Sequence, residues 1–322
     1  MTTETHQIAE RLRQALTAVE VTRVGDTAAF RMGHTEFEAE SLDKLRSKLS
    51  GTLYDTLHSG RDSRQQQRPR RIRDHAFEEK LAAATPHRYT MSTGRYAGRL
   101  DDSGEILVDL PSLRIRLAAE NVDEPAHPRT GDPVRLRLPA LRPALSPGFY
   151  LADGPDGRPP AGPLLRLYVH LTDPDAAADV WRECLRVLAG CRVRYRAKIA
   201  SAPWLYPRMD ALVVYLGHDA WSASAAIGSA LTHVPGRGTT TSVLASRLAP
   251  GVSYAWEPAD PRTGKSGLSF GQHRCSALTD GLLAEVTDPG MTRGAALYQA
   301  LHDANIDAEA PERNLDSPHL RW

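Results

Sequence analysis

The sequence predicts an α+β fold: a mixed or antiparallel sheet with flanking helices and a helical N-terminal section. Three observations carry this. Two N-terminal stretches place apolar residues at helical spacing, and from residue 88 the chain breaks into short runs of period-two alternation bounded by turn residues. No glycine-rich strand-to-helix turn of the dinucleotide-binding kind occurs.

In the first stretch, residues 5–20, Ile8, Leu12, Leu16 and Val19 share one helical face; in the second, 36–58, Leu42, Leu45, Leu49, Leu53 and Leu57 do so, with Ser41 as the expected N-cap. Residues 59–74 (SGRDSRQQQRPRRIRD) are dense in arginine and glutamine and poor in apolar residues, which predicts a basic, solvated linker. The expected division is a helical section with this linker over 1–75 and a second unit over 76–322. The later runs HRYTMSTGRYAGRL, EILVDLPSLRIRL, DPVRLRLP and SPGFYLADG read as strands. LLRLYVHL (164–171) and ALVVYLG (211–217) read as core strands flanking a helix that begins near Asp175. A further helix is expected over 219–233, and a final one begins in the region 276–287.

Size and charge narrow the function classes. A chain of 322 residues with 41% hydrophobic and 25% charged residues can build a sizeable core and belongs to neither the disordered nor the membrane class. Its 40 basic and 39 acidic residues leave a net charge of +1, which gives no long-range attraction to nucleic acid or to an anionic membrane. The N-terminus is polar, without the apolar core of a signal peptide, and no window reaches membrane-span length; the expected location is the cytoplasm. Cys184, Cys191 and Cys275 are odd in number and form no CxxC, so they are expected as buried small residues rather than as disulfides or zinc ligands. Lysine occurs only at Lys44, Lys48, Lys80, Lys198 and Lys265. Arginine cannot give up its proton whereas a desolvated lysine can, so each of the five is a candidate base.

Familiar signatures fail at decisive places. PADPRTGKSG (258–267) has the Gly264, Lys265 and Ser266 of a phosphate-binding loop, but its first glycine would fall on Ala259. HExxH and EF-hand patterns are absent. Neither a metal nor an organic cofactor is expected.

Five segments in the second half stand in a suggestive order: SPGFYLADG (146–154), RLYVHL (166–171), RVRYRAKIASAPWLYPRMDALVVYLG (192–217), SRLAPGVSYAWEP (246–258) and SFGQHRC (269–275). Together they resemble the HopA-type effector domain, which also serves as the lyase component of class V lanthipeptide and thioamitide synthetases. The resemblance covers roughly 145–290, with a weaker match at LYDTLHSG (53–60) and none over 61–140. It implies a phosphoserine or phosphothreonine lyase acting on a precursor peptide with a leader. Its expected partners are a kinase-like protein and a cyclase, with no nucleic acid and no membrane. The alternative is a non-catalytic effector or scaffold that binds a kinase or peptide.

β-Elimination needs a base for the Cα proton, an acid for the departing oxygen and cations for the phosphate. Lys198 alternates with Arg196 and Arg194 on one strand face and is the expected base, its alternative being a surface lysine at a sheet edge. His170, sharing a face with Tyr168 and Arg166, is the expected acid; a hydrogen-bonding core histidine is the other reading. Arg196, Arg208, Arg247 and Arg274 are expected to hold the phosphate, since guanidinium binds it bidentately. A salt bridge with Asp210 or Glu257 is the competing role for the last three. Tyr168 and Tyr215 are expected in the substrate site, Tyr215 equally suiting a core position.

Overall fold

The computed structural model of the chain describes residues 7–25, 27–61 and 71–320. The N-terminal section runs through α1 (Glu10–Leu16), β1 (Val19–Val24), β2 (Thr27–Met32), β3 (Thr35–Ala39) and α2 (Leu42–Leu53), ending in a π-helical turn, Tyr54–Ser59. There follow α3 (His75–Ala84) and five strands, β4 (Tyr89–Arg99), β5 (Ile106–Leu110), β6 (Leu113–Leu117), β7 (Val122–Asp123) and β8 (Pro133–Pro139). The remainder comprises β9 (Leu141–Ser146), β10 (Phe149–Asp153), β11 (Leu165–Leu171), α4 (Ala177–Gly190), β12 (Tyr195–Ala200) and β13 (Arg208–Leu216). It closes with α5 (Ala223–Ala230), β14 (Ser246–Ala249), β15 (Val252–Trp256), α6 (Phe270–Thr287) and α7 (Arg293–Asp303).

A seven-stranded antiparallel sheet, ordered β14-β15-β11-β13-β12-β10-β9, organises the molecule. Against one face lie α3, α4 and α5, where Phe77, Leu81, Trp181, Leu185, Leu188 and Ile227 meet Leu167, Val169, Ile199, Leu212 and Val214. Helix α4 delivers its share because Val180, Trp181, Cys184, Leu185 and Leu188 fall on one face at helical spacing. The opposite face contributes Tyr168, Val213 and Ala255 to a second core shared with α1, β1–β3, α2, α6 and α7. Cover on both sides explains why nearly every residue of β11 and β13 is buried, the charged Arg166, Arg208 and Asp210 included.

Strands β4–β8 form a separate five-stranded sheet, ordered β6-β5-β4-β8-β7, around a small core of Tyr96, Ile106, Val108, Val122, Val134 and Leu136. The α+β class is as the sequence predicts. Among the described residues, no helix is long and apolar enough to cross a membrane.

Four local readings change. The N-terminal section is not purely helical: α1 stops at Leu16, and residues 19–39 form a three-stranded antiparallel sheet with Phe30 opposite Phe37. Val19 fits the helical spacing of the preceding residues but is the first inward position of β1, whose burial alternates at its start. The helix expected near 276–287 begins at Phe270, where Ser269 and Gln272 close a capping box, and α7 follows it with Thr292 as N-cap. Cys184 and Cys275 are buried, but Cys191 is exposed just beyond α4. The basic linker falls largely on 62–70, outside the described residues, yet its end is anchored: Ile72 O accepts from Ser201 Oγ at 2.9 Å, and Arg71 O from Trp204 Nε1 at 2.7 Å. Ser41 caps α2 through Lys44 N, as its position predicts.

Candidate functional site

A cavity of about 1480 Å³ opens between the seven-stranded sheet and the elements covering its second face. That exceeds the roughly 300–1,000 Å³ usual for small-molecule sites and suits a peptide segment. Three of the five lysines, Lys44, Lys48 and Lys198, line it, together with Arg61, Arg166 and Arg208; the acidic lining residues are Asp55, Asp210 and Glu257. Six cations against three carboxylates make the lining basic, although the whole chain is nearly neutral.

Register explains the wall. Tyr168, Val213 and Lys198 are directly opposed across β11, β13 and β12, so their side chains emerge on the same face. Adjacent strands lie about 4.8 Å apart, so small Val213 leaves a recess between two long side chains. Arg166 and Tyr215 are likewise opposed. Beyond Val169 the pairing with β13 shifts register, and Ala211 and Leu212 both turn to the other face. This irregularity returns Arg208 and Asp210 to the cavity.

Cations and rings alternate along the wall. The Arg166 guanidinium lies 5.0 Å from the Tyr215 ring, Lys198 Nζ 5.7 Å from Tyr215 and 4.4 Å from Phe149, and the Arg208 guanidinium 5.3 Å from Phe149. Each contact is within cation–π range. The two arginines are neutralised, Arg166 by a two-pronged ion pair with Glu257 and Arg208 by Asp210, at 2.7 and 2.8 Å. Lys198 makes ring contacts only, with no carboxylate partner among the described residues.

The Arg208–Asp210 pair is buried and extended by the π-helical turn. Tyr54 OH donates to Asp210 Oδ2 at 3.0 Å and accepts from Arg208 at 3.1 Å. His58 Nδ1 is 3.0 Å from Ser242 Oγ, whose own proton goes to Leu57 O. Nδ1 is therefore the donor, leaving Nε2 unprotonated 3.7 Å from Asp210. Gly271 permits this packing, because a Cβ there would stand 2.2 Å from His58 Cδ2. Burial pushes His58 down to about 4, with Asp210 opposing and the nearby cations assisting. Burial also pushes the Asp210 carboxyl up, but the Arg208 guanidinium outweighs it and holds the group below the usual carboxylate range. The Tyr168 hydroxyl is fully buried beside the Arg166 guanidinium, with no well-aligned hydrogen bond among the described residues.

Of the expected site residues, Lys198, Arg208, Tyr168 and Tyr215 line this cavity. His170, Arg196, Arg247 and Arg274 do not. His170, at the end of β11, turns its Nδ1 toward the Thr240 carbonyl and hydroxyl at 3.1 and 3.0 Å. Arg196 joins Arg142 and Arg158 around the buried Asp153. Arg274 is fully buried and occupied by the Pro311 and Arg313 carbonyls and the Asn314 side chain, which makes it a fold element. Arg247 lies exposed on the edge strand β14. Lys265, in the sequence resembling a phosphate-binding loop, hydrogen-bonds Ser276. The sequence reading gave no role to Arg166, Tyr54 and His58, although the weak match at 53–60 pointed at the last two. It met Asp210 and Glu257 only as salt-bridge partners, a role both have.

The fold and wall thus define an α+β protein with a cationic, aromatic-lined peptide-sized cavity on one sheet face. Residues 140–313, more than half of the chain, match the HopA1 effector protein family, and the chain belongs to it. Among solved structures it is similar to the effector protein from Pseudomonas syringae pv. tomato strain DC3000, at 14% identity and a TM-score of 0.46, covering 85% of this chain and 95% of that one. It is also similar to the effector protein from Pseudomonas syringae pv. syringae strain 61, at 14% identity and a TM-score of 0.44, covering 83% and 98%. No curated protein matches the chain.

Two outcomes follow from this network. Arg208→Met strands Asp210 as a buried unpaired carboxylate and should cost about 3–5 kcal/mol in urea unfolding, most of which Arg208→Met with Asp210→Leu should recover; an additive double variant would deny the coupling. Folded His58 holds its proton less tightly than the unfolded chain, so the unfolded state protonates first on acidification. Its stability contribution is complete above the ordinary value of 6.5 and declines as the pH falls toward about 4, with a slope of up to about 1.4 kcal/mol per pH unit. His58→Gln should flatten that slope in unfolding measured at stepped pH; an unchanged slope would assign it to other groups.

Proposed function

We propose that the cavity receives the phosphoryl group of a phosphoserine or phosphothreonine in a peptide and that the protein eliminates it, leaving dehydroalanine or dehydrobutyrine. The observation that carries this reading is Lys198, held between two rings without a carboxylate partner while both neighbouring arginines are neutralised. A lysine ion-paired to a carboxylate is poorly placed to accept a proton; Lys198 is not so engaged. Its Nζ lone pair takes the Cα proton, the electron pair left on Cα forms the Cα–Cβ double bond, and the Cβ–O bond breaks with its electrons leaving on phosphate. Arg208 and Arg166 face the same space and hold the developing charge. His170 lies outside the cavity and takes no part in this scheme. In this reading the substrate is a precursor peptide phosphorylated by a partner kinase.

The separation of His170 from Lys198 favours one second reading, in which the same cavity binds a phosphopeptide or a kinase without chemistry. An elimination assay on a prephosphorylated peptide, followed by mass spectrometry, distinguishes the two. Wild type should release phosphoric acid, and Lys198→Ala should slow release by about 10²–10⁴-fold, the usual worth of a general base, while still binding the peptide. Elimination by Lys198→Ala at the wild-type rate would remove Lys198 as base, and binding without elimination by wild type would favour the scaffold.

A further inference from the structure

The cavity mouth differs in chemistry from its floor. Among the described residues seven large apolar side chains are exposed, and two of them, Ile72 at 47% and Trp204 at 41%, line this one cavity beside Leu205. Exposed apolar side chains scattered singly need no explanation, whereas a pair at the entrance to a basic cavity does. Neither is loosely held. The Trp204 indole N–H donates to Arg71 O at 2.7 Å, the Ile72 carbonyl accepts from Ser201 Oγ at 2.9 Å, and Asp74 N donates to Ser201 O at 3.1 Å. Three hydrogen bonds thus tie residues 71–74 to 201–204 and fix an apolar ledge in water before any ligand arrives. Such an ordered surface is inexpensive to bind, since little side-chain freedom is lost on contact.

We propose that this ledge is a subsite for an apolar side chain next to the phosphorylated residue, so that the preferred substrate is a phosphopeptide with a leucine-like or aromatic neighbour. The inference rests on the phosphopeptide reading above and adds the sequence context that the cavity selects. Charge complementarity gives the orientation: the anion goes inward to Arg166 and Arg208, with Cα toward Lys198, and the apolar neighbour stays at the mouth against Trp204 and Ile72.

The test uses the full chain and short synthetic peptides with a central phosphothreonine flanked on both sides by leucine or by serine, each also made with unmodified threonine. Calorimetric affinities should favour the leucine phosphopeptide over the serine one by about ten-fold, the scale expected from burying one aliphatic side chain. Trp204→Ala should erase most of that preference while retaining the preference for phosphate, and Trp204→Phe should keep both. Ile72→Ser serves as a second probe should Trp204→Ala unfold, and melting temperatures identify that case. Equal affinity of the two phosphopeptides for wild type, or a leucine preference unaffected by both variants, overturns the ledge while leaving the phosphate reading intact. Loss of phosphate dependence for wild type overturns the phosphopeptide reading; the ledge then stands only if the leucine preference persists and still depends on Trp204.

Discussion

Three cations on one sheet face, Arg166, Lys198 and Arg208, are the constraint to which the cavity wall answers. Like charges in neighbouring cross-strand positions repel, and here two aromatic rings and two carboxylates make the arrangement tolerable. Tyr215 and Phe149 stand between the cations, and Glu257 and Asp210 take up the outer two. Compensation stops at Lys198, where the wall keeps its chemical potential. The covering elements follow suit: the π-helical turn supplies Tyr54 to the Arg208–Asp210 pair, and α6 passes close enough for Phe270 to pack on His58 and Tyr168 only because its next residue is Gly271.

The two faces of the seven-stranded sheet therefore divide the work. Against α3, α4 and α5 the sheet presents aliphatic side chains and makes an ordinary core. On the other face the strands mix apolar residues with the cations and rings of the wall, and the N-terminal section and α6 cover them incompletely, leaving the cavity. Buried charge on that face is costly unless every group is satisfied. This accounts for the density of hydrogen bonds around Asp210.

Much of this architecture could be read in the sequence, because period-two runs and capped apolar stripes are local signals. Lys198, Tyr168 and Tyr215 could be placed on strand faces by counting alternate residues. Arg208 was reachable through its segment, but its orientation depends on the irregularity at Ala211 and Leu212, which has no local signature. His170 shows where counting fails: it does share parity with Tyr168, yet the strand ends there and the ring turns to Thr240, a partner distant in sequence. Arg274 misled for a related reason, since guanidinium serves carbonyl oxygens as readily as phosphate, and only the fold brings Pro311 and Arg313 to it. Tyr54 and His58 come from a separate section of chain, so their meeting with Asp210 is a tertiary fact that no spacing encodes.

The most direct test of the account is a crystal structure of the protein with a bound phosphothreonine peptide. The account predicts the phosphothreonine Cα facing Lys198 Nζ over Val213, with phosphoryl oxygens within about 3 Å of the Arg208 or Arg166 guanidinium. A phosphoryl group seated outside the cavity, against Arg247 or beside His170, would contradict it.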